Sequence, residues 1–246
     1  MNIILKDRDW SHPLEKLDRK FDEHFDDSTA EKFHMARSNF LNEWCFLEIL
    51  WGRLQNSQKI LYESNLQIKE GTVKNFKHNM MVGRLLKHSL DDIFLDSNCF
   101  ILNARILMDG TAYLTSFLWR KITKERPCFG SFNQHKRWFC KPQNKNKIID
   151  KEYASYLLLN TDWFNNKLKK SRDELIVHRF RSSDSYYVDA FRLDSGTVLK
   201  ANALFKDFDG NKAVEYDTRQ IPDLNELMDN ICGFLSFFDE HFSQTL

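Results

Sequence analysis

Phe33, Ala36, Phe40, Trp44, Leu47, Trp51 and Leu54 recur three or four residues apart. That spacing places all seven side chains along one stripe of an α-helix. Ser28 followed by Glu31 fits a capping box ahead of the stripe. Together they predict one long helix reaching about residue 63, with the two tryptophans as core anchors rather than as a platform for bases. A chain with such a helix must bury its stripe against further helices, and the sequence supplies them. Leu85, Leu86, Leu90, Ile93 and Phe94 lead into Ile101, Ala104, Leu107, Met108, Thr111, Leu114 and Leu118. Tyr153, Leu157, Phe164, Leu168, Leu175 and Ile176 continue at helical spacing. A last stripe runs Leu224, Leu227, Met228, Ile231, Leu235, Phe238 and Phe242 behind Pro222, which suits a first helical turn.

Two stretches depart from this pattern. Residues 1–27 are charged and read as an irregular extension ending in Asp22, Glu23, Asp26 and Asp27. Over residues 186–217 the period changes to two. Leu199, Ala201, Ala203 and Phe205 alternate with Lys200, Asn202 and Leu204, and Asp194-Ser195-Gly196 and Asp209-Gly210-Asn211 supply turn residues. The expectation is a mainly α protein: a single helical domain over 1–246, with a small antiparallel β meander at about 186–217 inserted before the C-terminal helix.

Composition limits the function classes. Lys plus Arg is 36 against 35 Asp plus Glu, a formal charge of +1, so an electrostatic partner has to be met by a local patch. Phe at 21 and Trp at 6 exclude a disordered chain, and 8 Gly with 4 Pro argue against a loop-rich sandwich. The start carries no signal-peptide core and no run approaches 18 apolar residues, so the expected location is cytoplasmic, away from the membrane. Cys45, Cys99, Cys128, Cys140 and Cys232 form no Cys-x-x-Cys pair and read as buried free thiols. His24 with His34 and His78 with His88 are too far apart for a helical metal pair. Asp207-Phe208-Asp209-Gly210 lacks the remaining ligands of a calcium loop.

Chemistry concentrates in two places. In Ser171-Arg172-Asp173-Glu174-Leu175-Ile176-Val177-His178-Arg179, an Arg and a His stand six positions apart with a polar residue directly after the Arg. Lys167, Lys169 and Lys170 lead into it, and Trp163-Phe164 lies upstream on the same predicted helix. This run resembles the Arg-x(4–6)-His motif of the HEPN family. Asn103 to Gly110, with Arg105 and Asp109, is similar to an Arg- and Asp-bearing helix of related bundles. The resemblance covers about residues 85–182, and its specific part is the seven-residue motif.

It implies a helical bundle, commonly a homodimer, and a metal-independent endoribonuclease of toxin or antiphage-effector type that needs no cofactor. His178 would move protons, Arg172 would bind phosphate and Asp173 would orient one of them. An antitoxin or other regulatory protein is a further expected partner. Histidine titrates near neutrality and arginine presents a permanently charged fork, which are the properties that RNA self-cleavage requires. On one regular helix Arg172 and His178 point roughly 120° apart, so a shared cleft needs two copies of the chain. The same residues also have a structural reading. Glu174 and His178 are four apart and can form a helix-surface hydrogen bond, and Arg105 with Asp109 most simply forms a salt bridge.

The second place is residues 120–147, where nine basic residues face Glu125 for a local charge of +8. Phe129, Phe132, Trp138 and Phe139 are interleaved with them, which is the pattern of a phosphate-bearing partner with bases to stack. The expected RNA contacts are Lys169, Lys170, Arg179, Lys136, Arg137 and Trp138. In the competing reading the aromatics fold back over the core, the lysines are a solvated surface, and the chain is a non-catalytic interaction module.

Overall fold

The computed structural model describes residues 5–24, 26–69, 76–127, 130–169, 185–193, 196–206, 213–215 and 223–246. Its longest element is the helix expected from the first stripe, α2 (Asp27–Lys69), which follows α1 (Glu15–His24). Phe33, Phe40, Trp44, Leu47, Trp51 and Leu54 are all buried along α2, and Ala36 is half-buried. The cap is Asp26 rather than the expected Ser28. Its carboxylate accepts from the Thr29 amide and the Thr29 hydroxyl, both at 2.9 Å. Those bonds hold the Asp26 carboxyl below the usual carboxylate range.

Helix α3 (Phe76–Leu114) runs unbroken through Asp96-Ser97-Asn98 and buries Ile101, Ala104, Leu107, Met108, Thr111 and Leu114. Short elements follow: α4 (Trp119–Ile122), α5 (Phe132–Cys140) and α6 (Lys151–Asn160), then a wide helical turn at Phe164–Lys169. Helix α7 (Leu224–Thr245) buries every residue of the last predicted stripe. Strands β1 (Ser185–Leu193), β2 (Gly196–Lys206) and β3 (Ala213–Glu215) pair antiparallel in that order, Ser185 opposite Leu204 and Leu204 opposite Glu215. The protein is mainly α.

The chain forms two compact units, each assembled from separated segments, and α2 and α3 contribute to both. One comprises Met1–Asp7, Ile49–Ile101 and Ser171–Asn225. There the Leu5 amide donates to Gln58 Oε1 at 3.1 Å, Trp51 Nε1 donates to the Lys6 carbonyl at 2.9 Å, and the Trp51 and Phe100 rings meet at 5.5 Å.

The other unit comprises Arg8–Glu48, Leu102–Lys170 and Glu226–Leu246, and its core is aromatic. Phe21 stacks on Phe33 at 3.7 Å, Phe132 packs against Phe164 at 4.6 Å and Phe234 at 5.3 Å, and Tyr153 meets Phe242 at 5.1 Å. Each such ring removed from water contributes about 1.5–3 kcal/mol.

The charged extension expected over residues 1–27 is corrected here. Leu14, Leu17 and Phe21 are spaced three and four apart and fully buried, so α1 is an amphipathic helix of the second unit. The Asp239 carboxylate accepts from the Lys16 and Leu17 amides at 3.3 and 2.8 Å, satisfying donors of the first turn. Burial lifts the Asp239 carboxyl above its ordinary range despite those bonds. The cysteine expectation changes too. The described cysteines carry free thiols, but Cys45 and Cys140 are exposed, the first on the outer face of α2 and the second in the last turn of α5.

Candidate functional site

Residues 120–147 are not an open loop. Thr123 and Ile148 form an antiparallel bridge, the Lys124 amide donates to the Lys147 carbonyl at 2.7 Å, and the Ile149 amide donates to the Ile122 carbonyl at 2.9 Å. The enclosed segment folds into α5. Two caps start that helix: Ser131 Oγ accepts from the Gln134 amide at 3.2 Å, and Asp109 of α3 accepts from the Phe132 amide at 2.7 Å. Asp109 also accepts from Arg105 Nε at 3.1 Å, so the expected salt bridge forms and one carboxylate serves both partners. The Arg105 guanidinium is buried and lies over the Phe164 ring at 4.4 Å.

The inward face of α5 is Phe132, His135, Lys136 and Phe139. This corrects the expectation for the segment's aromatics: Phe132 and Phe139 belong to the core, and Trp138 is half-buried. Lys136 is only 5 % exposed and donates to Asp162 Oδ1 at 2.7 Å, so it is no longer an RNA-contact candidate. His135 Nε2 and the Tyr153 hydroxyl lie 3.0 Å apart, and burial raises the Tyr153 phenol above its ordinary range. Next to this pair His241 Nε2 lies 2.6 Å from Asp150 Oδ2, while the other Asp150 oxygen caps α6 through the Tyr153 amide at 2.9 Å.

The remaining cations of the segment face water: Arg120, Lys121, Lys124, Arg126, Arg137, Lys141 and Lys145 are exposed, and Lys147 pairs with Glu125 at 2.6 Å. Lys169 is half-buried at the end of the turn after α6. Helix α6 stops at Asn160, and a separate helical stretch over 162–169 carries Trp163 and Phe164 toward the motif. The Trp163 indole donates to the Asn160 carbonyl at 2.9 Å and the Phe164 amide to the Thr161 carbonyl at 3.1 Å, closing that end. Lys170, Arg172, Asp173, His178 and Arg179 lie outside the described residues.

A groove of about 750 Å³ lies in the second unit and is lined by three of these exposed cations, Arg120, Lys121 and Arg126. One wall is α2, with Asp26, Thr29, Lys32, Met35, Ala36 and Asn39. The other is the corner from α3 to α4 and the chain beyond it, with Tyr113, Phe117, Trp119, Arg120, Lys121 and Arg126. Lys32, Arg120, Lys121 and Arg126 thus oppose one carboxylate, Asp26. Tyr113 is 51 % exposed, and its ring meets Phe117 edge-on at 5.8 Å; Phe117 in turn packs on Phe33 at 5.7 Å. The Arg120 guanidinium lies over the Trp119 ring at 5.5 Å.

The basic run 120–147 foreshadows Arg120, Lys121 and Arg126. Lys32 and Tyr113 carry no such signal, because each sits on the polar face of a helix whose sequence reads only as core stripe. Among the described residues no group of three or more His, Cys, Asp or Glu is arranged to hold a metal ion, and no helix is long and apolar enough to cross a membrane. Compared with protein-family models, with curated proteins and with solved structures, the chain finds no match.

Proposed function

We propose that this chain is a metal-independent endoribonuclease of HEPN type that acts as a homodimer. The observation that carries the reading is the concentration of exposed cations over residues 120–145 in a protein of near-zero net charge, in the same chain as the Arg-x5-His run. In this reading His178 takes the proton of a ribose 2′-hydroxyl, whose oxygen attacks the adjacent phosphorus. The bond from phosphorus to the 5′ oxygen breaks, a 2′,3′-cyclic phosphate forms, and the protonated His178 of the second protomer supplies the leaving oxygen's proton. Arg172 balances charge on the non-bridging oxygens and Asp173 orients its neighbour. Lys169, Lys170, Arg179, Arg137 and Trp138 line the path of the strand. The small meander at 186–217 is an appendage inserted before α7, and an antitoxin or similar protein would regulate the activity.

The test is cleavage of a mixed RNA pool in EDTA by the wild type, Arg172→Ala and His178→Ala, with oligomeric state recorded for each. The expected loss is roughly 10²- to 10⁴-fold for either variant, both still dimeric. Wild-type cleavage by a folded, dimeric His178→Ala protein refutes the assignment.

A second reading has its own observation. Met35, Phe46, Ile106 and Tyr113 of the second unit are large apolar side chains left exposed on α2 and α3. A non-catalytic helical module would use such side chains, rather than the cations, to hold a protein partner. No cleavage by any of the three proteins favours that reading.

A further inference from the structure

We propose that the groove between α2 and the α3–α4 corner is a binding site for single-stranded RNA, seating an unpaired base on Tyr113 and phosphates on Lys32, Arg120, Lys121 and Arg126. The proposal rests on the RNA reading above but not on His178.

The rings are held from the core outward. Phe21 and Phe33 stack at 3.7 Å in the core, and Phe117 stands edge-on to both, at 6.4 and 5.7 Å. Tyr113 then stands edge-on to Phe117 at 5.8 Å, so its ring is fixed by an aromatic series anchored in the core while half its surface faces solvent. A ring already immobilised binds without the ordering cost of a free side chain. Arg120 is organised in the same way, its planar guanidinium lying over Trp119.

The cations come from both walls: Lys32 from α2, and Arg120, Lys121 and Arg126 from the opposite corner. A strand lying between them meets positive charge on each side. At one end stands Asp26, whose carboxyl is held ionised by Thr29, so the favourable potential stops there. Bases in a duplex are stacked on one another and present no face to a recessed ring, whereas an unpaired strand does. An acidic peptide would satisfy the cations and leave the exposed Tyr113 ring without a stacking partner. The volume, about 750 Å³, matches a ligand-sized site rather than a duplex-wide surface.

The test is fluorescence anisotropy of the full-length protein with an unpaired 2′-O-methyl oligonucleotide of about 12 nucleotides, a probe that cannot be cleaved through its 2′ oxygen. A duplex of the same length and an oligoglutamate peptide are the comparison ligands. The single strand is expected to bind most tightly. Tyr113→Ala weakens it about 5- to 150-fold, the value of one stacked base, while Tyr113→Phe restores it. Arg120→Ala and Lys121→Ala each reduce the salt dependence by about 0.7 in the log–log slope. Lys59→Ala, an exposed lysine of the other unit, changes neither quantity.

Equal binding of the duplex, unchanged binding in Tyr113→Ala, or displacement of the strand by the peptide at equal concentration overturns the proposal, the last in favour of an acidic protein partner. Single-strand binding without any cleavage refutes the endoribonuclease and leaves the groove standing. Cleavage without groove-dependent binding does the reverse.

Discussion

The Lys136 ammonium reaches Asp162 at 2.7 Å, but Asp162 is itself exposed, so solvent screens the pair and the covered stem of the lysine carries most of the stabilisation. Lys136→Ala should therefore lower stability by roughly 0.5–3 kcal/mol in denaturant titration and leave RNA affinity unchanged. Asp96, in the other unit, is a buried carboxylate. Arg53 Nε donates to it at 3.0 Å, yet burial outweighs that partner and its carboxyl is raised above the ordinary range. A raised carboxyl contributes stability that is complete below its unfolded pKa and is lost as pH rises through the folded value. Asp96→Asn is thus expected to raise the melting temperature at neutral pH. The difference from wild type should close as pH falls toward the usual carboxylate range, and a gap that widens on acidification would reverse the sign of this account.

Among the elements, α5 shows how a helix depends on a residue far from it in sequence. Asp109 of α3 accepts from the first α5 amide and from the buried Arg105. Asp109→Ala removes a cap and strands a guanidinium, for an expected loss of roughly 2–4 kcal/mol by denaturant titration. Asp109→Asn, which keeps an acceptor, should recover part of it. The same element shows why some helices were legible and others not. The stripes of α2 and α7 consist of Phe, Trp, Leu, Met and Ile, and their period is plain in the sequence. The inward face of α5 has the same i, i+3, i+4, i+7 spacing, but its middle positions are His135 and Lys136, whose types signal surface. At α1 only Leu14, just ahead of the helix, together with Leu17 and Phe21 carries the pattern, amid charged neighbours, so the segment reads as an extension.

At the scale of the whole molecule, charge placement matters more than total charge. Near-zero net charge leaves long-range attraction to the groove and the 120–145 surface, and both belong to the second unit. The basic run was visible as composition. The groove was not, because Lys32 and Tyr113 join Arg120 and Arg126 only when α2 meets the α3–α4 corner. The Arg172–His178 pair is legible as a motif, and under the proposed function its residues work together in a cleft shared by two chains. The most direct test of the central claim is the chemistry of the RNA ends left by the wild-type protein in EDTA. The account predicts 2′,3′-cyclic phosphate on one fragment and a 5′-hydroxyl on the other. Fragments ending in 5′-phosphate and 3′-hydroxyl, or no new ends at all, would contradict it.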